Sequence, residues 1–244
     1  MVQRLTVSDP AVKFSPRQQL ALLVRILGSQ GYDDKLAGHV SIRDRDDETL
    51  LVTPVGLFWE EVRASHILRV DYAGQVLQGE GRANPTIVFH GELHRARPDI
   101  RVALHNHPPY GTIWAAAGEL PPLLDQSGAN GGGKAVLYTE YEGAVLTPAV
   151  AARLAAAYGS ADMAILAQHG TLVTATTVGE VLVRALSFEW RCRKAYEVAC
   201  MGKQREELDS ETAEALSRYA LEYGEMLFEA YARRELARDP SLLD

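Results

Sequence analysis

Two spacings of apolar residues organise this chain. Leu20, Leu23, Ile26 and Leu27 recur at intervals of three and four, the spacing of one buried helix face. Ser15-Pro16-Arg17-Gln18 just upstream has the form of a capped start, with Pro16 in the first turn and Gln18 closing a capping box, and Gly31 ends the run. Residues 1–14 read as a lead-in. Strand-like runs follow at His39–Arg43 and Leu50–Thr53, joined by the charged turn Asp44–Glu48, and a second hairpin is expected at Ile67–Val70 and Gln75–Leu77. A helix from Thr86 to Arg97 stops before Pro98-Asp99. Val102-Ala103-Leu104 is a short buried strand that runs into His105-Asn106-His107 and ends at Pro108-Pro109. A Gly-rich loop spans Gly128–Gly133, and Thr147-Pro148 opens another helix. Met163–Ala167 and Thr171–Thr174 read as partner strands around Gln168-His169-Gly170. Thr177-Val178-Gly179-Glu180 is a second capping box, heading a helix to Ala199, and Asp209 begins a last helix over 209–244. Hairpin-joined strands with helices between them predict one α/β domain over 1–244 with a mainly antiparallel or mixed sheet.

Composition narrows the function classes. Of 244 residues 47% are hydrophobic and 23% charged, so there is enough core material to fold without a metal or a disulfide. Any metal would then serve chemistry. The net charge of −7 and the lack of a basic run argue against nucleic acid as partner. No stretch is long and apolar enough to span a bilayer, and the first residues lack the apolar core of a secretion signal. Cys192 and Cys200 are too few for a disulfide framework or a thiolate zinc site, which makes a reducing cytoplasm the expected compartment. No G-x-G-x-x-G follows a strand, and Gly131-Gly132-Gly133-Lys134 lacks the spacing of a phosphate loop.

The candidate chemistry lies in the histidines. On a strand, residues two apart face the same side, so His105 and His107 would present two imidazoles together. His169 likewise ends an apolar run at a loop. Three imidazoles with a fourth position open make a catalytic metal site, suited to several divalent ions.

In order and spacing, Gly38-His39-Val40-Ser41-Ile42-Arg43, Thr53-Pro54-Val55-Gly56, Phe89-His90, Ala96-Arg97-Pro98-Asp99, His105-Asn106-His107 and Gln168-His169-Gly170 resemble the class II aldolase/adducin family over residues 15–200. The resemblance implies a three-layer α/β/α fold and a cyclic homotetramer with active sites at subunit interfaces. It also implies a small-molecule substrate and one divalent metal ion per subunit, zinc first and manganese, cobalt or iron as alternatives, on His105, His107 and His169. In the family the metal stabilises charge on a substrate oxygen as a carbon–carbon bond breaks.

The chain departs from the family's sugar-phosphate aldolases at named positions. Thr86 stands where they carry a glutamate that acts as acid/base, and Asn84-Pro85 replaces their phosphate-binding serines. Val55 replaces a threonine of the other phosphate loop, although Gly56 remains. These losses argue against a phosphorylated substrate. His39, in place of an asparagine, and Tyr141 are then the candidate proton donors, while Arg43, Gly56, Asn84, Thr86 and His90 are candidate substrate contacts. The expected activity is decarboxylation of a hydroxylated aromatic acid, or aldol cleavage of an unphosphorylated hydroxy or keto acid. A non-haem iron oxygenase on the same histidines and a catalytically silent adducin-like interaction module are the alternatives.

Overall fold

A computed structural model describes residues 13–32, 34–44, 48–202 and 206–244. Most of the expected lead-in (1–12) and the centre of the Asp44–Glu48 turn (45–47) lie outside the described residues. The strands are β1 (His39–Arg43), β2 (Thr49–Val52), β3 (Leu68–Asp71), β4 (Val76–Gln78), β5 (Val102–Asn106), β6 (Ala135–Tyr138), β7 (Met163–Leu166) and β8 (Gly170–Ala175). They form one sheet in the order β4-β3-β2-β1-β5-β8-β7-β6. Every pairing is antiparallel except β6 with β7.

Helices cover both faces of the sheet. On one side α1 (Pro16–Leu27), α6 (Val178–Cys200) and α8 (Gly224–Arg238) bury Leu23, Ile26, Leu182, Phe188 and Phe228 against Val40, Leu104 and Val173 of the strands. On the other, α2 (Ile87–Ala96) and α5 (Pro148–Tyr158) bury Phe89, Leu93, Leu154 and Tyr158 against Ala103, Ala164 and Leu172. Alternation along β5 therefore turns Val102 and Leu104 to the first layer and Ala103 and His105 to the second. The fold is three-layer α/β/α, as expected.

Local sequence explains most element ends. Ser15 and Gln18 form the expected reciprocal capping box on α1. Thr147 accepts from the Val150 N–H and caps α5. Thr177 caps α6 through the Glu180 N–H, but the Glu180 carboxylate reaches back to the Thr176 N–H, not to that of Thr177. The last helix is two: α7 (Ser210–Glu222) ends at Tyr223, whose N–H donates to Ala220 O, and is followed by α8, whose Gly224 backbone lies against Gly179. Three elements escape the sequence reading, α3 (Pro109–Ala117), the short α4 (Gln126–Ala129) and the edge strand β6. The Gly-rich loop begins within α4 and packs on α6, where the Arg184 guanidinium donates to Gly131 O.

One close approach fixes the helix that backs the site. A Cβ on Gly91 of α2 would lie 2.0 Å from the Tyr72 carbonyl oxygen at the end of β3. Gly91→Ala should therefore lift α2 off the sheet and cost about 1–3 kcal/mol, read as a lower urea midpoint with an unchanged slope. An unchanged midpoint would show that α2 is not held at this distance.

Candidate metal centre

The β1–β5 pairing sets His39 directly opposite His105, with ring centroids 4.9 Å apart. Asn106 ends β5 and is fully buried. Its Nδ2 donates to Tyr32 O at 2.5 Å, and its Oδ1 accepts the His107 N–H, also at 2.5 Å. Those two bonds turn the chain out of the strand. His107 thus reaches the site from just past the strand, not through two-residue alternation, yet its ring centroid is 5.0 Å from that of His105.

The third imidazole arrives on the tight turn between β7 and β8. Gln168 adopts the left-handed conformation (φ 58°), which the Gln168 N–H bond to Ala115 O (2.7 Å) helps to hold. A side chain at Gly170 would meet Asn106 O and His107 Cδ2, each at 2.5 Å. Gly170 therefore lets β8 close on β5 and brings His169 to 4.6 Å from His105 and 5.0 Å from His107, ring to ring.

The hydrogen bonds orient these rings for a cation. His105 Nδ1–H donates to Thr171 O at 2.9 Å. His107 Nδ1–H donates to Asp34 Oδ2 at 2.9 Å, and that bond is the main reason the Asp34 carboxyl is held below its usual range. Each of these rings thereby points a bare Nε2 inward. His107 Nε2 is buried without a partner, a cost that a bound cation would remove. One nitrogen from each of the three histidines lies within 4.8 Å of the others. Burial above all, and then neighbouring imidazoles, push the His105 and His169 rings toward the neutral form that binds metal, His169 to about 4. The donor set fits one divalent ion bound by three nitrogens.

A pocket of about 510 Å³, including its open mouth, lies in front of the three rings. Phe89, Val145, Leu154 and Leu166 form apolar walls, and Asn84, Thr86 and His39 form the polar one. Among the described residues that line it there is no lysine, arginine, aspartate or glutamate.

The other expected contacts divide. His39 lines the pocket, but both its nitrogens are engaged: Nδ1 with His90 Nε2 and Nε2 with Thr86 Oγ1, each at 2.8 Å. Asn84 and Thr86 line it as well. His90, expected to touch substrate, lies behind the wall with no exposure. Arg43, expected to hold a carboxylate, points away: its guanidinium donates to Tyr72 OH (2.6 Å) and to the carbonyls of His94, Arg97 and Ile100. Gly56 is not among the lining residues. Tyr141 is half exposed, with its ring 6.0 Å from that of His169. Sequence reasoning missed Asp34 and the apolar walls. Nothing in a lone aspartate 73 positions from His107 announces the pair, since only the folded chain brings them together.

The family model described as "Class II Aldolase and Adducin N-terminal domain" matches residues 18–196. An adducin-related protein of Schizosaccharomyces pombe is 30% identical over 178 residues, covering 67% of this chain and 52% of its own length. The 5-methylthioribulose-1-phosphate/5-deoxyribulose-1-phosphate aldolase of Rhodospirillum rubrum is 28% identical, covering 75% of this chain and 84% of its own. In fold, the chain is similar to the L-fuculose 1-phosphate aldolase of Glaciozyma antarctica, with TM-score 0.79, 22% identity, and coverage of 93% of this chain and 91% of that one.

Elemental analysis of the purified protein should find about one divalent metal per chain, and His105→Ala should lose it. Full metal retention in that variant would remove His105 from the ligand set. The buried His94 supplies a second expectation. Burial first, then the Arg43 charge, lowers its imidazole to about 3 from an ordinary 6.5. Between those values the unfolded chain binds a proton that the folded chain does not, so stability is full above 6.5 and declines as pH falls toward 3. The thermal midpoint should fall on acidification below neutrality, and more gently in His94→Gln.

Proposed function

The chain belongs to the class II aldolase and adducin family, and on that premise we propose that it is a metal-dependent carbon–carbon lyase acting on an unphosphorylated hydroxy or keto acid. The best fit is decarboxylation of a hydroxylated aromatic acid, with aldol cleavage of a keto acid next. One observation carries this reading: three imidazole nitrogens open onto a pocket with apolar walls and, among the described residues that line it, no lysine or arginine. A phosphate dianion would find no charge-assisted partner on those walls, whereas a flat apolar ring would be buried by Phe89, Val145, Leu154 and Leu166.

When bound, a divalent ion, with zinc our first choice and manganese, cobalt or iron the alternatives, supplies Lewis-acid stabilisation of the charge that develops on a reactant oxygen. The protein's own share is binding and proton handling. The apolar walls orient the reactant and exclude water. Thr86 and His39 form the polar pair beside it, 2.8 Å apart. The reactant's hydroxyl gives its proton to that pair. The carbon–carboxylate bond then breaks, CO2 leaves, and the electron pair stays on carbon. That carbon takes the proton back, and the oxygen regains one from solvent on release. In this scheme Thr86 passes the proton without ionising and His39 acts through it. Tyr141, beside His169 at the mouth, is the second candidate donor.

We also propose a homotetramer. Exposed Leu36 and Leu146 adjoin the pocket-lining Ala37 and Val145 in sequence, and exposed Tyr141 lies three residues before the lining Ala144, an apolar rim that a second copy would cover.

Incubation with a panel of hydroxyaromatic acids should release CO2 without need of O2, and metal chelation should abolish it. Thr86→Val should lower kcat by about 10²–10⁴-fold if it passes the proton. Pyruvate or another aldehyde–ketone pair in place of CO2 would turn the assignment to aldol cleavage. A strict O2 requirement would make the protein an oxygenase. Absence of both metal and turnover would favour an adducin-like interaction module.

A further inference from the structure

Behind the polar wall of the pocket, between β1 and α2, runs an unbroken line of hydrogen-bonding groups, buried except at its pocket end. It starts at the Ile100 carbonyl oxygen, 3.2 Å from His94 Nδ1. His94 Nε2 is 2.9 Å from Ser41 Oγ, which is 2.6 Å from His90 Nδ1. His90 Nε2 is 2.8 Å from His39 Nδ1, and His39 Nε2 is 2.8 Å from Thr86 Oγ1. The line ends where Thr86 Oγ1 lies 2.8 Å from Asn84 Oδ1 at the pocket. Ser41, His90 and His94 have no exposure at all. No solvent can therefore correct a wrongly placed proton inside the line.

Direction follows from the ends. A carbonyl oxygen only accepts, so both termini ask for a donor. Between them stand five groups, His94, Ser41, His90, His39 and Thr86, each with one proton to give when neutral, spanning six contacts. One contact must lack a proton, and at any of the four interior contacts the gap would set two lone pairs face to face, so it falls at an end. If it were the contact at Ile100, a bare His94 nitrogen would face a carbonyl in the dry interior with no other partner, a costly arrangement. If it is the contact between Thr86 and Asn84, Asn84 Oδ1 still accepts the Thr86 N–H at 3.0 Å, and the gap borders the pocket. The second arrangement wins. His94 then donates from Nδ1 and takes the Ser41 hydroxyl proton on Nε2. Ser41 accepts from His90 Nδ1–H, His90 Nε2 accepts from His39 Nδ1–H, and His39 Nε2 accepts from the Thr86 hydroxyl.

We propose that His94, Ser41 and His90 are positioning residues that lock His39 in the Nδ1–H tautomer, so that the pocket end of the line presents proton acceptors to a hydroxyl of the reactant. Only the use made of those acceptors rests on the lyase reading; the tautomer does not. The three residues touch no reactant. Their work is to decide, from deep inside the fold, which His39 nitrogen is bare.

Long-range proton–nitrogen correlation NMR on the ¹⁵N-labelled full chain, at mildly alkaline pH, reads this directly, because a bare ring nitrogen resonates far downfield of a protonated one. In the native protein His39, His90 and His94 should each show a protonated Nδ1 and a bare Nε2. His66 supplies an internal contrast, since its Nδ1 accepts the Arg63 N–H at 3.2 Å and its proton belongs on Nε2. Ser41→Ala should leave His94 as it was, while His39 and His90 lose their single tautomer. Ser41→Thr, which keeps the hydroxyl, should restore it. A native His39 protonated on Nε2, or a His39 signal unmoved in Ser41→Ala, would overturn the proposal. The native spectrum alone is decisive should Ser41→Ala fail to fold. Expected tautomers in a protein that cleaves no carbon–carbon bond would sink the lyase reading and leave this one standing.

Discussion

The structure depends first on the antiparallel register of its two central strands, β1 and β5. That register sets His39 against His105 and Ser41 against Ala103, so the layer beneath α2 and α5 receives one imidazole of the metal centre from β5 and two middle members of the polar line from β1. A slip of β1 by one residue would turn His39 and Ser41 to the α1 side, away from His105, and put Val40 beneath α2. The register is held from both faces. Val40, Ile42, Val102 and Leu104 are sealed under the first helix layer, while Ser41 is tied to His90 and His94 on the second. Fold and site are thus one constraint.

Much of this was legible in the sequence because it is local. The capping pattern Ser15-Pro16-Arg17-Gln18, the Thr147 and Thr177 caps and the apolar runs of β1, β5, β7 and β8 report their own conformation. The glycine of Gln168-His169-Gly170 also has a local meaning that the structure spells out, the close approach of β8 to Asn106 and His107. The histidines at 105, 107 and 169 do converge, although His107 does so through the side chain of Asn106 and not through strand periodicity.

What escaped was non-local. The edge strand β6 is a short apolar run whose parallel pairing with β7 requires α5 as crossover, and the run alone does not announce a partner. Helix α3 begins at the second proline of the Pro108-Pro109 turn, where the sequence suggested only a stop. Its N-terminus is held by Glu189 of α6, which accepts from the Tyr110 and Gly111 N–H groups across nearly eighty residues. Arg43 is the plainest misreading. An arginine at a strand end suggests an anion, yet here it gathers the carbonyls that close α2. His90, expected to touch the reactant, instead shares Ser41 with His94 one turn away on α2.

The three imidazoles are not anchored alike. His105 is tied to a strand carbonyl and His107 to a carboxylate, whereas His169 sits on a turn with Gln168 in the left-handed conformation, its ring set against those of His105, His107 and Tyr141. Two nitrogens are therefore fixed posts and the third is a latch. His105 and His107 would hold an ion with rings the fold has already oriented, and His169 would complete the set from a turn that leaves its ring to be oriented by the ion itself.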